Sequence, residues 1–284
     1  MSSVTASASE PAIRETLRRL AAVLRGYGPT VTAFSGGVDS TLVAAVSARV
    51  HGERALAVTG VSASLAASER ESACELARRL RLRHETLETH EMERPGYRAN
   101  AGDRCYFCKS ELYEKLVALA RRRGFSAVAS GDNLDDLGGH RPGARAGAEL
   151  GVRAPLVEAR LGKEQVRAIA HHLGLPNADK PAAPCLASRV PHGTGVDAET
   201  LARIERAEAG VRALGFDVFR VRHHGPLARL ELPVEALPAA LEQRESLLEA
   251  VRAAGYLWVA LDLAGFRSGS LNAVLADGLL PRSG

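Results

Sequence analysis

The chain has 284 residues and a formal net charge of +4; 46% of its residues are hydrophobic and 25% charged. That balance excludes a mostly disordered chain, a collagen-like repeat and a cysteine-stapled mini-protein, and the length points to about two domains with a core that needs no disulfides. No apolar stretch approaches the roughly 18 residues of a membrane span, and Met1 to Glu10 shows neither a basic start nor an apolar run, so the expected address is the cytoplasm.

Ile13, Leu17, Leu20 and Leu24 recur at helical spacing, with Pro11 suited to the first turn. Residues 31–34 read as a buried strand between Pro29 and Gly36-Gly37, and residues 38–50 as a helix. A strand is expected over 55–61, a helix through Ala73, Leu76, Ala77 and Leu80, and a weaker strand over 84–87. Residues 96–104 read as a loop, followed by a helix through Leu112, Leu116 and Leu119. A strand over 127–130 and a helix through Val166, Ile169 and Leu173 complete an alternation that predicts an α/β fold with a parallel sheet. Prolines and glycines crowd residues 176–196. Beyond them come a helix (201–214), strands (218–222 and 227–232) joined by His223-His224-Gly225-Pro226, a helix (237–254) and a strand (257–263). The expected division is an N-terminal extension over 1–10 without order, an α/β domain over 11–190 and a small α+β domain over 191–284.

The sharpest local signal is Ser35-Gly36-Gly37-Val38-Asp39-Ser40, placed between a strand and a helix. Glycines let the backbone turn tightly and approach a ligand. N–H groups at the helix start and the hydroxyls of Ser35 and Ser40 make an anion cradle. The glycine spacing is not that of a Walker A loop, and no lysine precedes Ser40. The alternative is a small-residue turn with no ligand.

Lysine occurs only at 109, 115, 163 and 180, so arginine carries nearly all the basic charge and a given arginine says little. Lys109 and Lys180 are better pointers, each within five residues of a cysteine. The cysteines are Cys74, Cys105, Cys108 and Cys185. Cys105 and Cys108 form a C-x-x-C pair just before a helix, a pattern open to a redox pair, half a zinc site or part of an iron–sulfur site. A closed zinc site needs a fourth ligand, for which His192 and His140 are candidates. Cys74 flanks an apolar helical stripe and reads as a half-buried small hydrophobe. Gly131 offers close backbone approach after a strand, and the acidic run Asp132, Asp135 and Asp136 suits either capping or a ligand contact. Arg220 and Arg222 share one face of their strand, and Arg229 and Glu231 one face of the next; a solvated polar face is the plain alternative.

The hexapeptide 35–40 resembles the PP-loop of the ATP pyrophosphatase superfamily. Together with Arg104-Cys105-Tyr106-Phe107-Cys108-Lys109 and Pro184-Cys185-Leu186-Ala187-Ser188-Arg189, it resembles the LarE family of pyridinium-3,5-biscarboxylic acid mononucleotide sulfurtransferases. Further matching segments run from Gly131 to Gly138, from His140 to Gly143, from Arg220 to Arg222 and from Gly265 to Gly269 through Ser268, so the likeness spans about 12–275.

The resemblance implies an adenine nucleotide α-hydrolase-like domain plus a smaller substrate-binding and oligomerisation domain. It implies ATP held by Ser35, Gly36, Gly37, Asp39, Ser40 and Gly131, with Mg²⁺ near Asp39. It implies adenylation of a substrate carboxylate and its conversion to a thiocarboxylate in making a nickel-pincer nucleotide cofactor. Some family members sacrifice the sulfur of a cysteine matching Cys185. The pair Cys105 and Cys108 resembles members that hold a [4Fe–4S] cluster, here through Cys105, Cys108 and Cys185, with sulfide or another sulfur donor as partner. Lys109, Ser188, Arg189, Arg220 and Arg222 would hold the pyridinium mononucleotide, with Arg267 a lesser candidate. A homo-oligomer is expected, and nucleic acid is not. The rival readings are a PP-loop tRNA thiolase and, without catalysis, an iron–sulfur or nucleotide sensor.

Overall fold

The computed structural model describes residues 9–138, 142–267 and 269–272. In chain order the elements are α1 (Glu10–Tyr27), β1 (Thr30–Ala33), α2 (Val38–His51), β2 (Ala55–Val61), α3 (Ala67–Arg79), β3 (His84–Glu88), α4 (Pro95–Ala99), α5 (Arg104–Arg123) and β4 (Ala127–Ala129). They continue as α6 (Pro142–Glu149), α7 (Pro155–Glu158), α8 (Lys163–His172), α9 (Ala198–Ala213), β5 (Arg220–His224), β6 (Leu227–Glu231), α10 (Leu237–Glu242), α11 (Arg244–Ala253) and β7 (Trp258–Leu261). They fall into two compact units. The first runs to Ser62 and continues over Ala67–Glu91 and Cys105–Ala183; the second takes Ala63–Ala66, Met92–Arg104 and the chain from Pro184. Most of the expected N-terminal extension lies outside the described residues, as do His140 and Ser268.

The first unit is the expected α/β structure, a parallel sheet ordered β3-β2-β1-β4. All four residues of β1 are buried, as a parallel strand covered on both faces requires. One core joins Leu20 and Leu24 of α1, Leu42, Val43 and Val46 of α2, and Val166 and Ile169 of α8. A second packs Tyr113, Leu116 and Leu119 of α5 against Val31, Leu56, Val58 and Val128 of the strands. Each fully buried leucine in these clusters contributes roughly 2 kcal/mol. β2 and β4 flank β1, with Val31 opposite Leu56 on one side and Val128 on the other. The direction of strand succession therefore reverses between β1 and β4. Open α/β sheets bind ligands outside the carboxyl ends of such a strand pair, which here lead into residues 34–37 and 130–133.

The second unit carries a three-stranded sheet ordered β5-β6-β7. β5 and β6 are antiparallel, with Arg220 opposite Glu231 and Arg222 opposite Arg229, and β7 is parallel to β6. Its core packs Ala207 and Val211 of α9 and Leu247 and Val251 of α11 against Val221, Leu230 and Leu232.

Three local expectations change. The segment before the cysteine pair contains α4, and α5 begins at Arg104, so Cys105 and Cys108 lie within its first turns rather than ahead of it. Arg104 anchors that start by donating to the Asn100 side chain and to the Ala187 carbonyl at 2.7 Å. The strand expected at 218–222 lies at Arg220–His224, leaving Gly225, at φ +62°, and Pro226 for the turn. The helix expected over 237–254 is two helices parted at Gln243. Among the described residues no helix is long and apolar enough to cross a membrane.

Candidate active site

The loop after β1 has no side chain capping the helix that follows. Gly37 is the N-cap of α2, so the first N–H groups of that helix are left for a ligand or solvent. Ser35 and Ser40 place their Oγ atoms 3.1 Å apart across the mouth, and the Ser35 N–H donates to Ser40 Oγ at 3.2 Å. Gly36 has φ +72°, and a Cβ there would stand 3.1 Å from Cα and Cβ of Ala73 on α3. Gly131 follows β4, and a Cβ on it would stand 2.8 Å from the Ser40 nitrogen. Both glycines are required by close approach of backbone.

Asp39 accepts from Asn133 Nδ2 at 2.9 Å. Burial raises its pKa above the ordinary aspartate value, and Asp136 pushes in the same direction. The acidic run after β4 divides by role. Asp136 accepts from the Asn133 N–H, forming half of a capping box, and Asp135 accepts from the Lys163 N–H at the start of α8. Asp132 instead accepts from Ser130 Oγ at 2.6 Å and is among the groups that act on Lys109.

Cys105 and Cys108 stand three residues apart on α5, a spacing that puts both thiols on one helix face; Cys105 is exposed and Cys108 half-buried. The neighbouring Lys109 has its amine 5.4 Å from the Tyr113 ring centre. Its pKa is held above the lysine range, first by the Tyr113 oxygen and then by Cys108, Asp132 and Cys105. Gly143 of α6 explains part of the matched segment there, since a Cβ would come within 3.0 Å of Lys109 Cγ. Lys180 is taken up by Glu69 at 2.7 Å. None of the four cysteines forms a disulfide, and Cys74 is half-buried on α3. Two thiols on one helix face suit two corners of a cluster. Among the described residues, no group of three or more His, Cys, Asp or Glu side chains is gathered as metal ligands.

In the second unit, Cys185 is half-buried and precedes a 3₁₀ turn, Leu186–Arg189. Arg189 is buried, bonds Glu208 through both Nε and Nη2 at 2.8 and 2.9 Å, and donates to the Cys185 carbonyl at 3.1 Å. Arg222 is likewise buried. It holds Glu231 through Nε and Nη2 at 2.9 and 2.7 Å and gives Nη1 to the Ser188 carbonyl. Glu231 has no exposed surface and also receives Arg229 and Ser270. The face expected to be either ligand-binding or solvated is thus a closed network at Arg222. Arg220 differs. Its guanidinium lies over the Phe266 ring at 5.0 Å, and burial, with Arg189 and Arg222 nearby, lowers its pKa to about 10. Arg267 is exposed.

Several residues escaped the sequence reading. Glu208 had a signal: it interrupts the apolar stripe Leu201, Ile204, Val211 of α9, and a carboxylate on a buried stripe demands a buried partner. Asn100 is buried in a left-handed conformation and donates to the carbonyls of Pro191 and Thr194, both at 2.8 Å. Thr41 and Asn177 bind the loop after β1 and carry no motif of their own, while Asn133, inside the matched segment from Gly131 to Gly138 but given no role there, holds Asp39.

A parallel sheet with a Ser-Gly-Gly-Val-Asp-Ser loop at the reversal of its strand order defines a domain of the PP-loop class, and residues 12–133 match the family model for asparagine synthase. Over 92% of this chain and 95% of its own length, the pyridinium-3,5-bisthiocarboxylic acid mononucleotide synthase of Lactiplantibacillus plantarum is 35% identical. An uncharacterized protein of Synechocystis sp. is 47% identical over 86% of this chain and 91% of its own length. The chain belongs to the LarE family of sulfur-transferring enzymes.

Proposed function

We propose that this enzyme uses ATP to convert a carboxylate of a pyridinium-3,5-biscarboxylic acid mononucleotide into a thiocarboxylate, on the way to a nickel-pincer nucleotide cofactor. The observation that carries the reading is the phosphate cradle at residues 35–40, with Gly131 packed against the Ser40 backbone, in a chain of this family. A substrate carboxylate oxygen attacks the α-phosphorus of MgATP, and the bond to pyrophosphate breaks. Sulfide then attacks the acyl carbon. The bond to AMP breaks, its electron pair leaves on the phosphate oxygen, and the sulfide proton passes to solvent.

Ser35, Gly36, Gly37 and Ser40 hold the departing pyrophosphate through N–H and O–H donors. Asp39 would hold the magnesium ion directly or through water, and Gly131 lets the loop after β4 close on the Ser40 backbone at the cradle. Lys109, kept protonated by its surroundings, offsets phosphate charge. In the second unit Arg220, whose guanidinium lies over the Phe266 ring, is assigned to the substrate phosphate, while the forks of Arg189 and Arg222 grip Glu208 and Glu231. Those two arginines shape the segment carrying Ser188 and Cys185. A [4Fe–4S] cluster held by Cys105, Cys108 and Cys185 would supply an iron position for exogenous sulfide, since three thiolates leave one of four irons without a protein ligand. Holding nucleotide and carboxylate together is the larger part of the rate gain.

The test is pyrophosphate release by anaerobically prepared protein, with and without the pyridinium substrate. Release that depends on substrate, with about four irons per chain, is expected. Cys185→Ser is expected to keep pyrophosphate release and lose thiocarboxylate. Mass analysis of the peptide bearing Cys185 after turnover separates the donors: an intact thiol supports exogenous sulfide, and loss of its sulfur identifies the cysteine as the source. Release indifferent to the pyridinium substrate overturns the reading.

A further inference from the structure

The loop after β1 is made of neutral groups, so what it offers an anion depends on which way its peptide units face. A trans peptide points its C=O and the following N–H in opposite directions, and no cis peptide occurs among the described residues. The Gly36 carbonyl accepts from Asn177 Nδ2 at 3.0 Å. The Gly37 carbonyl accepts from the Thr41 N–H at 3.0 Å, from Thr41 Oγ1 at 2.8 Å and from Ser40 Oγ at 3.1 Å. With both carbonyls tied back, the N–H groups of Gly37 and Val38 are turned the other way. The Gly37 N–H meets only a long bond there, 3.3 Å to Ser35 Oγ, which a phosphate oxygen can replace.

Asn177 and Thr41 act as one chain. Asn177 Nδ2 also donates to Thr41 Oγ1 at 3.0 Å, and that hydroxyl spends its proton on the Gly37 carbonyl. The amide cannot be turned over, because its oxygen would then face the Gly36 carbonyl, acceptor against acceptor. Asn177 is itself held. It is 8% exposed, its carbonyl accepts from the Lys180 N–H at 3.1 Å, and Ala178 beside it is buried in the core of α1, α2 and α8. Its Oδ1 is buried with no hydrogen-bond partner among the described residues. An orphaned acceptor is costly, and its persistence marks a side chain fixed by what its nitrogen does.

We infer that Asn177 and Thr41 are positioning residues that lock the Gly36–Gly37 and Gly37–Val38 peptides with their N–H groups toward the pyrophosphate of ATP. The inference rests on the nucleotide reading above and adds to it the device that sets the polarity of the cradle. Without Asn177, or without the Thr41 hydroxyl that steadies it, the Gly36–Gly37 peptide can turn over and present a carbonyl to the phosphates, exchanging a donor for an acceptor, while the Gly37–Val38 peptide keeps the Thr41 N–H and Ser40 Oγ bonds but loses the one from Thr41 Oγ1. AMP, which leaves no pyrophosphate in the loop, is indifferent to this.

The test is calorimetric titration of the full chain with magnesium pyrophosphate and, separately, with AMP, for Asn177→Asp, Thr41→Val and Thr41→Ser. Asn177→Asp and Thr41→Val are expected to weaken pyrophosphate binding about tenfold or more, the scale of one lost hydrogen bond to a charged group. Thr41→Ser, which keeps the hydroxyl, stays close to the parent, and AMP affinity stays unchanged in all three. Should Asn177→Asp fail to fold by circular dichroism, the contrast between the two Thr41 variants carries the test without any change of charge. Unchanged pyrophosphate affinity in folded variants, or AMP affinity falling in step, overturns the inference and leaves the nucleotide site standing. A parent protein that binds neither pyrophosphate nor MgATP removes the site itself.

Discussion

The loop after β1 offers the proposed nucleotide peptide N–H groups and serine hydroxyls, whereas the second unit is built on guanidiniums whose forks hold buried carboxylates, Arg222 on Glu231 and Arg189 on Glu208. Neutral donors can be fixed in place at the cost of a few hydrogen bonds and need no counter-charge while the site is empty. A buried guanidinium cannot wait in that way. Taking it from water without a partner is prohibitive, so it is either paired or left part-exposed. Arg222 and Arg189 are paired with Glu231 and Glu208, and Arg220 is half-buried with its guanidinium over the Phe266 ring.

Removing a carboxylate should expose this difference most strongly. Glu231→Ala leaves Arg222 buried and unpaired, and a loss of about 3–5 kcal/mol is expected in urea denaturation. Replacing the pair together, Arg222→Met with Glu231→Leu, should cost far less. A single variant that costs under about 1 kcal/mol, the range of exposed ion pairs, would show the network to be solvated. Next in size is Gly131→Ala. Its new Cβ must displace the Ser40 backbone, with an expected loss of about 1–3 kcal/mol from overpacking and weaker MgATP binding measured by calorimetry. Normal ATP affinity in that variant would show that the approach of the two loops does not serve the nucleotide.

The smallest effect is in pH, and it has opposite sign in the two regions. Burial raises the pKa of Asp39, so its contribution is full below the ordinary aspartate value and lost as pH rises through the folded value; Asp39→Asn should raise the thermal midpoint at neutral pH and not in acid. Burial lowers the pKa values of His223 and His224 on β5, so their contribution is present above the ordinary 6.5 and lost as pH falls through the folded values. Acid should therefore lower the urea midpoint, and the double variant His223→Gln, His224→Gln should flatten that slope. A slope identical to the parent's would remove the two histidines from the account.

The strands and long helices of the first unit were legible because burial leaves a period in the sequence: Leu20, Leu24 and Ile169 recur on helix faces, and residues 55–61 make a strand with the bounds expected. The glycine loop was legible because only glycine tolerates its positive φ and close contacts. The pairing of Arg222 with Glu231 was not, since alternation shows which side chains share a face and says nothing about whether solvent reaches it. The start of α5 at Arg104 was missed because it is fixed by bonds to Asn100 and Ala187, partners distant in the chain or outside any periodic pattern. Asn177 had no signal at all. A single amide acting on a backbone carbonyl 141 residues away leaves no trace in composition or spacing.

The second unit is assembled from pieces that do not follow one another. Asn100 and Arg104 satisfy the carbonyls of Ala187, Pro191 and Thr194, yet most of the first unit's sequence after β3 is synthesised between the two segments. On the ribosome, residues 92–104 emerge well before the chain they must clasp, so this unit cannot close until its C-terminal piece arrives. A gene fragment starting at Pro184 would encode the hairpin and its helices but omit the side chains that pin the Cys185 segment. Exchange of the C-terminal portion between relatives would work only if residues 63–66 and 92–104 travelled with it.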